Sequence, residues 1–302
     1  LRILETLKPD SSFAQWLTQD QASDLAGVSV NAPGWWFPGC GWVNPPSLCK
    51  AWLTSAAEAT TAHFNKPVFK IEKHGALWRA FNEQGVVLAE APVVIVANAN
   101  EAAKFAATRH LPLIPFRGQI SQLPISHLHT SAPRTVICRE GYVIPPREGM
   151  LTFGASFNQD VTSCELTAQD HLENIERLRE IAEPLANGIN PALLGGRASL
   201  RSATPDRLPI VGPVTDPVRY EQDLAQWASG RWHRGRWAEV KAPMQEGLYV
   251  FLGHGARGLT WTGLAADWLA SRLNHEPSPL PRKVEAAIHP ARFQWRAMKR
   301  GR

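Results

Sequence analysis

The amino-acid sequence predicts a mixed α/β fold, in which a layered unit of strands and helices is interleaved with an antiparallel-sheet domain. Residues 93–96 form a continuous apolar run that leads through small residues into helix-prone sequence, and residues 248–252 lead through glycines into a second helical pattern. Continuous apolar strands are typical of a sheet that is covered on both faces. Four strand-like segments within residues 112–160, separated by turn-forming residues, predict the antiparallel sheet.

Composition sets the broad class. A chain of 302 residues with 44% hydrophobic residues can bury a large core, as one big domain or two interleaved ones. The sequence has no apolar run of about 18 residues and no secretory pattern in its first residues, so we expect a cytoplasmic protein without a membrane span. The four cysteines show no C-x-x-C pair and no histidine at ligand spacing, which predicts reduced core thiols and neither a zinc site nor a disulfide framework.

The order of these patterns predicts a domain plan. Residues 1–111 and 201–280 are assigned to the layered unit, the first with inserted segments and the second with a basic insertion at 214–246. Residues 112–200 are assigned to the antiparallel sheet and a covering helix over 167–187, with Thr167 as N-cap and Asp170 completing a capping box. Residues 281–302 form a basic tail.

Positive charge is concentrated in two places. The tail holds seven Lys and Arg residues against the single acid Glu285, and the stretch 231–237 interleaves three arginines with two tryptophans. Such segments suit RNA backbone contact and base stacking, although a solvated basic loop or terminus is the alternative. The predicted RNA-binding residues are Arg231, Arg234, Arg236, Arg292, Arg296, Lys299 and Arg300.

The stretch from residue 248 to residue 259 predicts a binding site. A strand that runs through glycines into a helix points unpaired backbone N–H groups and the positive end of a helix dipole at whatever lies in front. Such an end binds phosphate, or the negative charge that collects on a reduced flavin ring. The alternative is a tight connection whose glycines only permit close packing.

Five motifs in this order resemble the D-amino-acid oxidase (DAO) superfamily of flavoproteins. They are Ile95-Val-Ala-Asn-Ala, Gly118-Gln-Ile, Tyr142-Val-Ile-Pro before Thr152-Phe-Gly-Ala-Ser, Leu200-Arg-Ser-Ala-Thr-Pro-Asp-Arg-Leu-Pro-Ile-Val-Gly, and Gly253-His-Gly-Ala-Arg-Gly-Leu. Within the superfamily the chain is most similar to the flavin domain of a bifunctional family that modifies the wobble uridine of tRNA. The ending His289-Pro-Ala-Arg-Phe and the basic tail extend the resemblance over nearly the whole chain.

This resemblance implies an activity. The flavin domain of that family uses FAD to remove the carboxymethyl arm of a 5-carboxymethylaminomethyl-(2-thio)uridine as glyoxylate, leaving an aminomethyl group. A separate methyltransferase domain, which uses S-adenosylmethionine, then methylates the amine. Neither a methyltransferase segment nor the first βαβ of the flavin domain, with its G-x-G-x-x-G, is visible in the sequence, so we expect the chain to begin inside the flavin domain.

The resemblance also implies residue roles. Arg197 and Arg201 lie four apart in the sequence, which in a strand puts both on one face, and the resemblance selects Arg201 to bind the substrate carboxylate in a two-point fork. Tyr142 is expected to assist through its hydroxyl, unless it is an ordinary strand tyrosine. The residues expected to bind the cofactor are Ala97, Gly253, Gly255, Ala256, Arg257, Gly258 and Leu259. No general base is nominated.

Two other functions are also compatible with the sequence. One is a small-molecule amine oxidase of the glycine, sarcosine or D-amino-acid oxidase kind, which shares the flavin and the hydride transfer. The other is a truncated, non-catalytic remnant that at most binds RNA, which the missing dinucleotide motif favours.

Overall fold

The computed structural model describes residues 9–159, 161–226 and 243–299. Its strands are β1 (Gln15–Leu17), β2 (Gly34–Trp36), β3 (Lys70–His74), β4 (Leu77–Phe81), β5 (Val87–Ala91), β6 (Val94–Val96), β7 (Ile114–Pro124), β8 (Ile137–Cys138), β9 (Tyr142–Arg147), β10 (Met150–Gly154), β11 (Asn158–Gln159), β12 (Gly195–Ala203), β13 (Ile210–Thr215) and β14 (Met244–Leu252). Its α-helices are α1 (Gln19–Ala26), α2 (Pro45–Ser55), α3 (Ala168–Ile181), α4 (Glu183–Ala186), α5 (Pro217–Gln226), α6 (Gly258–Leu273), α7 (Arg282–Ile288) and α8 (Arg292–Lys299). None of the helices in these ranges is long and apolar enough to cross a membrane.

The chain divides into two compact units. The first ends at Ala62 and resumes over Arg117–Leu200, and the second comprises His63–Phe116 and the chain from Arg201 onward. This division differs from the domain plan predicted from the sequence, which placed all of 1–111 in the layered unit. The residues before Ala62 join the antiparallel unit because Ala26, Val28 and Val30 are buried in the same cluster as the sheet residues.

The first unit contains a six-stranded sheet with the order β11-β7-β10-β9-β8, in which β12 also pairs with β7. Strand β10 pairs antiparallel with β7 and with β9, as the turn-separated segments predicted. Buried side chains of α3 pack against this sheet: Ile175, Leu178 and Ile181 share one cluster with Leu123 and Phe153.

Helix α3 begins where the sequence predicted, and its capping differs from the prediction. Thr167 is the N-cap, and its hydroxyl accepts a hydrogen bond from the backbone N–H of Asp170. A capping box also requires the backbone N–H of Thr167 to donate to the Asp170 side chain. This part of the prediction is wrong, because that N–H donates to the Gln119 side chain instead. The Asp170 carboxylate is held by Arg117. The helix ends at Ile181, and Ala182 breaks it before the short α4.

Strand β14 is the centre of a three-stranded sheet in the second unit. It pairs parallel with β6 and antiparallel with β13. Leu248 and Val250 are fully buried on one face, while Tyr249 and Phe251 pack on the other face against a cluster that contains Trp268 of α6. The apolar run of β14 therefore lies in a strand that is covered on both faces. The same expectation for residues 93–96 is wrong on one face of β6, because Val93 and Ile95 are exposed there.

The four cysteines are free and exposed. The expectation of core thiols is wrong for these positions. Cys40 and Cys49 lie near or within α2, a helix without a buried residue, so that no core is available to them there.

Candidate functional site

The residues that follow β14 form a tight turn into α6. Strand β14 ends at Leu252, Gly253 has φ +69°, and Gly255 has φ +58° at the start of a single 3₁₀ turn that ends at Arg257. Helix α6 then begins at Gly258. The predicted strand, glycine turn and helix are thus present in the structure, and we call residues 253–257 the glycine turn.

Gly253 is required by its surroundings. Its φ is positive, which only glycine adopts without strain, and a Cβ added there would lie 2.6 Å from the Cγ2 methyl of Thr204. Gly255 has room, since its nearest neighbour would be Ala203 Cβ at 3.7 Å, but its positive φ also favours glycine. Close packing and a positive φ therefore both require glycine at position 253, whereas only the positive φ favours it at position 255.

The first turn of α6 has no side-chain cap. Arg257 occupies the N-cap position without a capping hydrogen bond from its side chain. The first backbone N–H groups of a helix need acceptors from outside the helix, and the helix dipole places partial positive charge at the same end. Ala256, Arg257 and Leu259 are exposed at this end, so that an anionic group can approach.

Ala97 follows β6 as the glycine turn follows β14. The two strands run parallel, with Val94 opposite Leu248 and Val96 opposite Val250. The carboxyl ends of parallel strands meet at the same edge of a sheet, where α/β folds bind their ligands. Ala97 and the glycine turn therefore lie at one edge.

His254 is a residue of this site that the sequence reasoning missed. Both of its ring nitrogens are buried and have no hydrogen-bond partner in the protein. Its ring packs on Phe251 with centroids 4.4 Å apart, and burial lowers the pKa of His254 to about 4, so that the ring is neutral at pH 7. Its place inside a glycine-histidine-glycine run was the available signal, but burial without a partner is visible only in the structure.

The two predicted catalytic residues are located on strands. Arg201 is half-buried on β12 in the second unit, two residues before Ala203. Tyr142 opens β9 in the first unit, where it pairs with Gly154 of β10 and Cys138 of β8. Each of the two residues makes an interaction within the protein.

The predicted RNA-binding residues divide into three groups. Arg231, Arg234, Arg236 and Arg300 lie outside the described residues, as does the side chain of Lys299. Arg296 is half exposed and forms an ion pair with Asp206. Arg292 does not fit the prediction, because its side chain is only 2% exposed and is held by Asp206. A buried guanidinium whose donors are used internally has none left for a phosphate.

The chain belongs to the DAO family of FAD dependent oxidoreductases, whose family model matches residues 4–272. This finding confirms the predicted class of protein and FAD as the family's cofactor.

Curated relatives narrow the resemblance further. The chain is 37% identical over 309 residues to the tRNA 5-methylaminomethyl-2-thiouridine biosynthesis bifunctional protein MnmC of Ralstonia nicotianae, covering 100% of this chain and 46% of that protein. It is 39% identical over 295 residues to the protein of the same name from Stutzerimonas stutzeri, covering 96% of this chain and 44% of that protein. The chain thus spans less than half the length of these relatives.

Solved structures confirm the fold. Glycine oxidase from Geobacillus kaustophilus matches with a TM-score of 0.70 and 19% identity, covering 95% of this chain and 68% of that chain. Iminodiacetate oxidase from Chelativorans sp. BNC1 matches with a TM-score of 0.62 and 22% identity, covering 93% of this chain and 68% of that chain. The predicted α/β flavoprotein fold is therefore correct.

The residues present fit the cofactor of the family. The two unpartnered nitrogens of His254, the start of α6 without a side-chain cap and the positive φ of Gly253 and Gly255 all lie in this one turn. A flavin ring carries both donors and acceptors for such a turn. Across the ranges that the structure describes, no group of three or more His, Cys, Asp or Glu residues could hold a metal ion.

Proposed function

We propose that this chain is the FAD-dependent oxidoreductase part of an enzyme that modifies the wobble uridine of tRNA. It acts on 5-carboxymethylaminomethyl-(2-thio)uridine, releases glyoxylate and leaves the aminomethyl form. The observation that supports this most is the identity of 37–39% over 96–100% of the chain to proteins named for that pathway. The small-amine oxidases of similar fold are only 19–22% identical.

The reaction breaks two bonds of the substrate. The C–H bond next to the amine nitrogen loses a hydride, and water then cleaves the resulting C=N bond into an amine and glyoxylate. FAD, when bound, supplies the two-electron acceptor for the hydride. The protein must therefore hold the carboxylate, orient the reacting carbon and favour negative charge on the reduced cofactor.

Residues of this chain fit these tasks. We assign Arg201 to the substrate carboxylate, because a guanidinium binds a carboxylate in a two-point fork, and Tyr142 to a supporting hydrogen bond from its hydroxyl. The amides at the start of α6, together with Arg257, favour negative charge at the cofactor. His254 stays neutral at pH 7 and so offers one donor and one acceptor.

The proposal extends to partners. The substrate is tRNA, and the amine product is the natural substrate of a methyltransferase domain that uses S-adenosylmethionine, located outside this chain. Contact with tRNA is assigned to Arg231, Arg234, Arg236, Arg296, Lys299 and Arg300, and the buried Arg292 is left out. A tRNA substrate places the enzyme in the cytoplasm.

Substitution of Arg201 tests the assignment of the carboxylate. The FAD-loaded protein is incubated with tRNA that carries the carboxymethylaminomethyl group, and the nucleosides are quantified by mass spectrometry. Arg201→Ala should lower kcat/KM by about tenfold to a hundredfold, since a charge-assisted bond contributes about 1.5–3 kcal/mol, and should keep the cofactor. The exposed Arg197, four residues earlier on β12, provides the control: Arg197→Ala should change little. Equal activity of both variants would remove the assignment.

The solved structures favour a second candidate, the oxidation of a small amine. Glycine oxidase from Geobacillus kaustophilus shares the fold with a TM-score of 0.70. An activity assay that offers glycine, sarcosine and iminodiacetate beside the modified tRNA decides between the tRNA function and the small-amine oxidase function. Turnover of the tRNA at micromolar concentration, with little oxidation of the free amines, supports the tRNA function; the reverse preference supports the small-molecule oxidase.

A further inference from the structure

The loop that follows β12 is held together by one carboxylate. Asp206 Oδ1 lies 3.0 Å from Thr204 Oγ1 and accepts a hydrogen bond from Leu208 N at 3.3 Å. Thr204 Oγ1 also lies 2.7 Å from the carbonyl oxygen of Leu208. These contacts close residues 204–208, the Asp206 loop, into a compact shape, with Thr204 only 2% exposed.

Arg292, at the start of α8, fixes the Asp206 loop from behind. Its Nε and Nη2 donate to the two carboxylate oxygens of Asp206, both at 2.9 Å, which is the two-point fork that arginine forms best. Nη2 also donates to Leu208 O at 2.8 Å, and Nη1 donates to Ile288 O at 3.1 Å. The guanidinium therefore ties the loop to the end of α7 across more than 80 residues of sequence.

The other side of the Asp206 loop supports the glycine turn. The Thr204 methyl lies so close to Gly253 that a Cβ added to the glycine would be 2.6 Å from it. Leu113 Cδ2 and Ile210 Cγ1 would be next, at 3.6 and 3.7 Å, so that Thr204 is the tightest neighbour of this residue. Displacement of Thr204 therefore removes the side chain that packs most closely against Gly253.

We propose that Arg292 is a positioning residue for the glycine turn, acting through Asp206 and Thr204 on Gly253. A residue that sequence reasoning assigned to RNA thus has an internal role. The consequence for flavin binding rests on the proposed function, whereas the consequence for the glycine turn itself does not. The chain of contacts predicts that loss of the fork loosens residues 253–257 selectively, because α6 and β14 keep their own cores.

Limited trypsin digestion of the cofactor-free chain tests the first consequence. Arg207 and Arg257 are exposed and lie in the Asp206 loop and the glycine turn, so that their cleavage reports local opening of these segments. Arg292→Met, which removes the fork but keeps apolar bulk, should speed cleavage at both sites by about tenfold relative to cleavage at Arg79 in β4. Normalising to Arg79 separates local loosening from global unfolding. The matched control is Arg117→Met, which removes the buried Arg117–Asp170 pair and should leave the Arg257 ratio unchanged.

A conservative series identifies the fork as the cause. Arg292→Lys keeps the charge but loses the two-point geometry, and should give an intermediate rate of cleavage. Thr204→Val keeps the shape against Gly253 but loses the bonds to Asp206 and Leu208. If Arg292 acts through Thr204, the double variant Arg292→Met/Thr204→Val should cleave no faster than the faster single variant. Independent, multiplying effects would overturn the proposed route.

Titration with FAD tests the second consequence. Arg292→Met should raise the Kd for FAD by about tenfold, while Arg117→Met should leave it within about twofold at equal fraction folded. An unchanged Kd together with an unchanged Arg257 ratio overturns the inference. If the parent chain takes up no FAD, the proposed function fails, and the digestion still decides whether Arg292 positions the turn.

Discussion

Two buried arginine–aspartate pairs, one in each unit, use the same chemistry for different ends. The side chains of Arg117 and Asp170 are 1% and 4% exposed, and those of Arg292 and Asp206 are 2% and 18% exposed. Arg117 joins a strand to a helix inside one core, and its remaining donors go to the carbonyls of Ser163 and Glu165 and to Gln119. Arg292 joins a helix to an irregular loop.

The difference shows what a buried ion pair contributes in each place. Strand β7 and helix α3 also have an apolar interface, so the first pair mainly satisfies groups that are already buried. The Asp206 loop has no regular structure of its own, and the second pair defines its shape. One pair is a structural tie, and the other controls a loop beside the candidate cofactor site.

Both carboxylates stay ionised in the fold. Burial raises the pKa of Asp170, but hydrogen bonds from Ser156, Thr167 and Arg117 outweigh it and hold the pKa below its usual value. Burial likewise raises the pKa of Asp206, but the guanidinium groups of Arg292 and Arg296 outweigh it and hold this pKa well below its usual value. Stability from either pair is therefore present above the ordinary aspartate pKa near 3.8 and is lost as the pH falls through the lower folded value.

The largest expected effect is on the more buried pair. Arg117→Met leaves Asp170 charged and unpaired inside the protein, which should lower the free energy of unfolding by about 3–5 kcal/mol. Urea denaturation followed by tryptophan fluorescence measures it. The double variant Arg117→Met/Asp170→Leu should regain most of that loss, because no lone charge stays buried. A loss below about 1 kcal/mol in the single variant would show that the pair does not hold the sheet to the helix.

A smaller effect is expected from pH. Burial, reinforced by the charges of Arg272 and Arg292, lowers the pKa of His289 to about 4, and burial lowers the pKa of His254 to about 4. As the pH falls, the unfolded chain takes up these protons first, near pH 6.5. The stability that the two neutral histidines contribute is therefore fully present above pH 6.5 and is lost as the pH drops towards 4. Urea titrations at pH 7, 5.5 and 4.5 should show this decline.

The variant His289→Asn keeps an acceptor for the backbone N–H of Ala291 but does not titrate. It should flatten the decline between pH 6.5 and 4. Arg292→Met should raise the pKa of His289, because it removes one of the charges that depress it. An equally steep decline in His289→Asn would mean that other groups cause the acid sensitivity.

The smallest effect is expected from Arg296. Its side chain is 45% exposed, and Asp206 keeps the Arg292 fork when it is removed. Arg296→Gln should therefore cost at most about 1 kcal/mol, as is usual for exposed pairs. Thermal unfolding of this variant beside Arg292→Met provides the comparison. Equal losses in the two variants would contradict the view that the buried fork, rather than the summed charge, holds the loop.

Local patterns made much of the fold predictable. The strand–turn–helix at residues 248–273 follows from an apolar run, glycines and a helical period, and Thr167 was readable as an N-cap because the signal lies within a few residues. These features depend on neighbours in the sequence. The order of the family motifs along the chain predicted FAD as the cofactor.

Long-range partners were not predictable. Arg292 looks like any basic tail residue until Asp206, 86 positions earlier, is seen beside it. The Thr167 backbone N–H was assigned to Asp170, three residues away, and bonds to Gln119, 48 residues away. His254 carried no local sign that both its nitrogens are buried. In each case the controlling neighbour is brought in by tertiary structure.

The glycine turn after β14 is the proposed binding site of the flavin. FAD is titrated into the protein and into its variants Gly253→Ala and Gly263→Ala, while the visible absorption of bound flavin is recorded. An alanine at Gly253 meets Thr204 and a positive φ, whereas Gly263, in α6, has no atom within 4 Å of the added Cβ. Gly253→Ala should raise the Kd for FAD about tenfold or more, with Gly263→Ala within about twofold of the parent. Equal FAD affinity of both variants, or no flavin bound in any form, would contradict the claim.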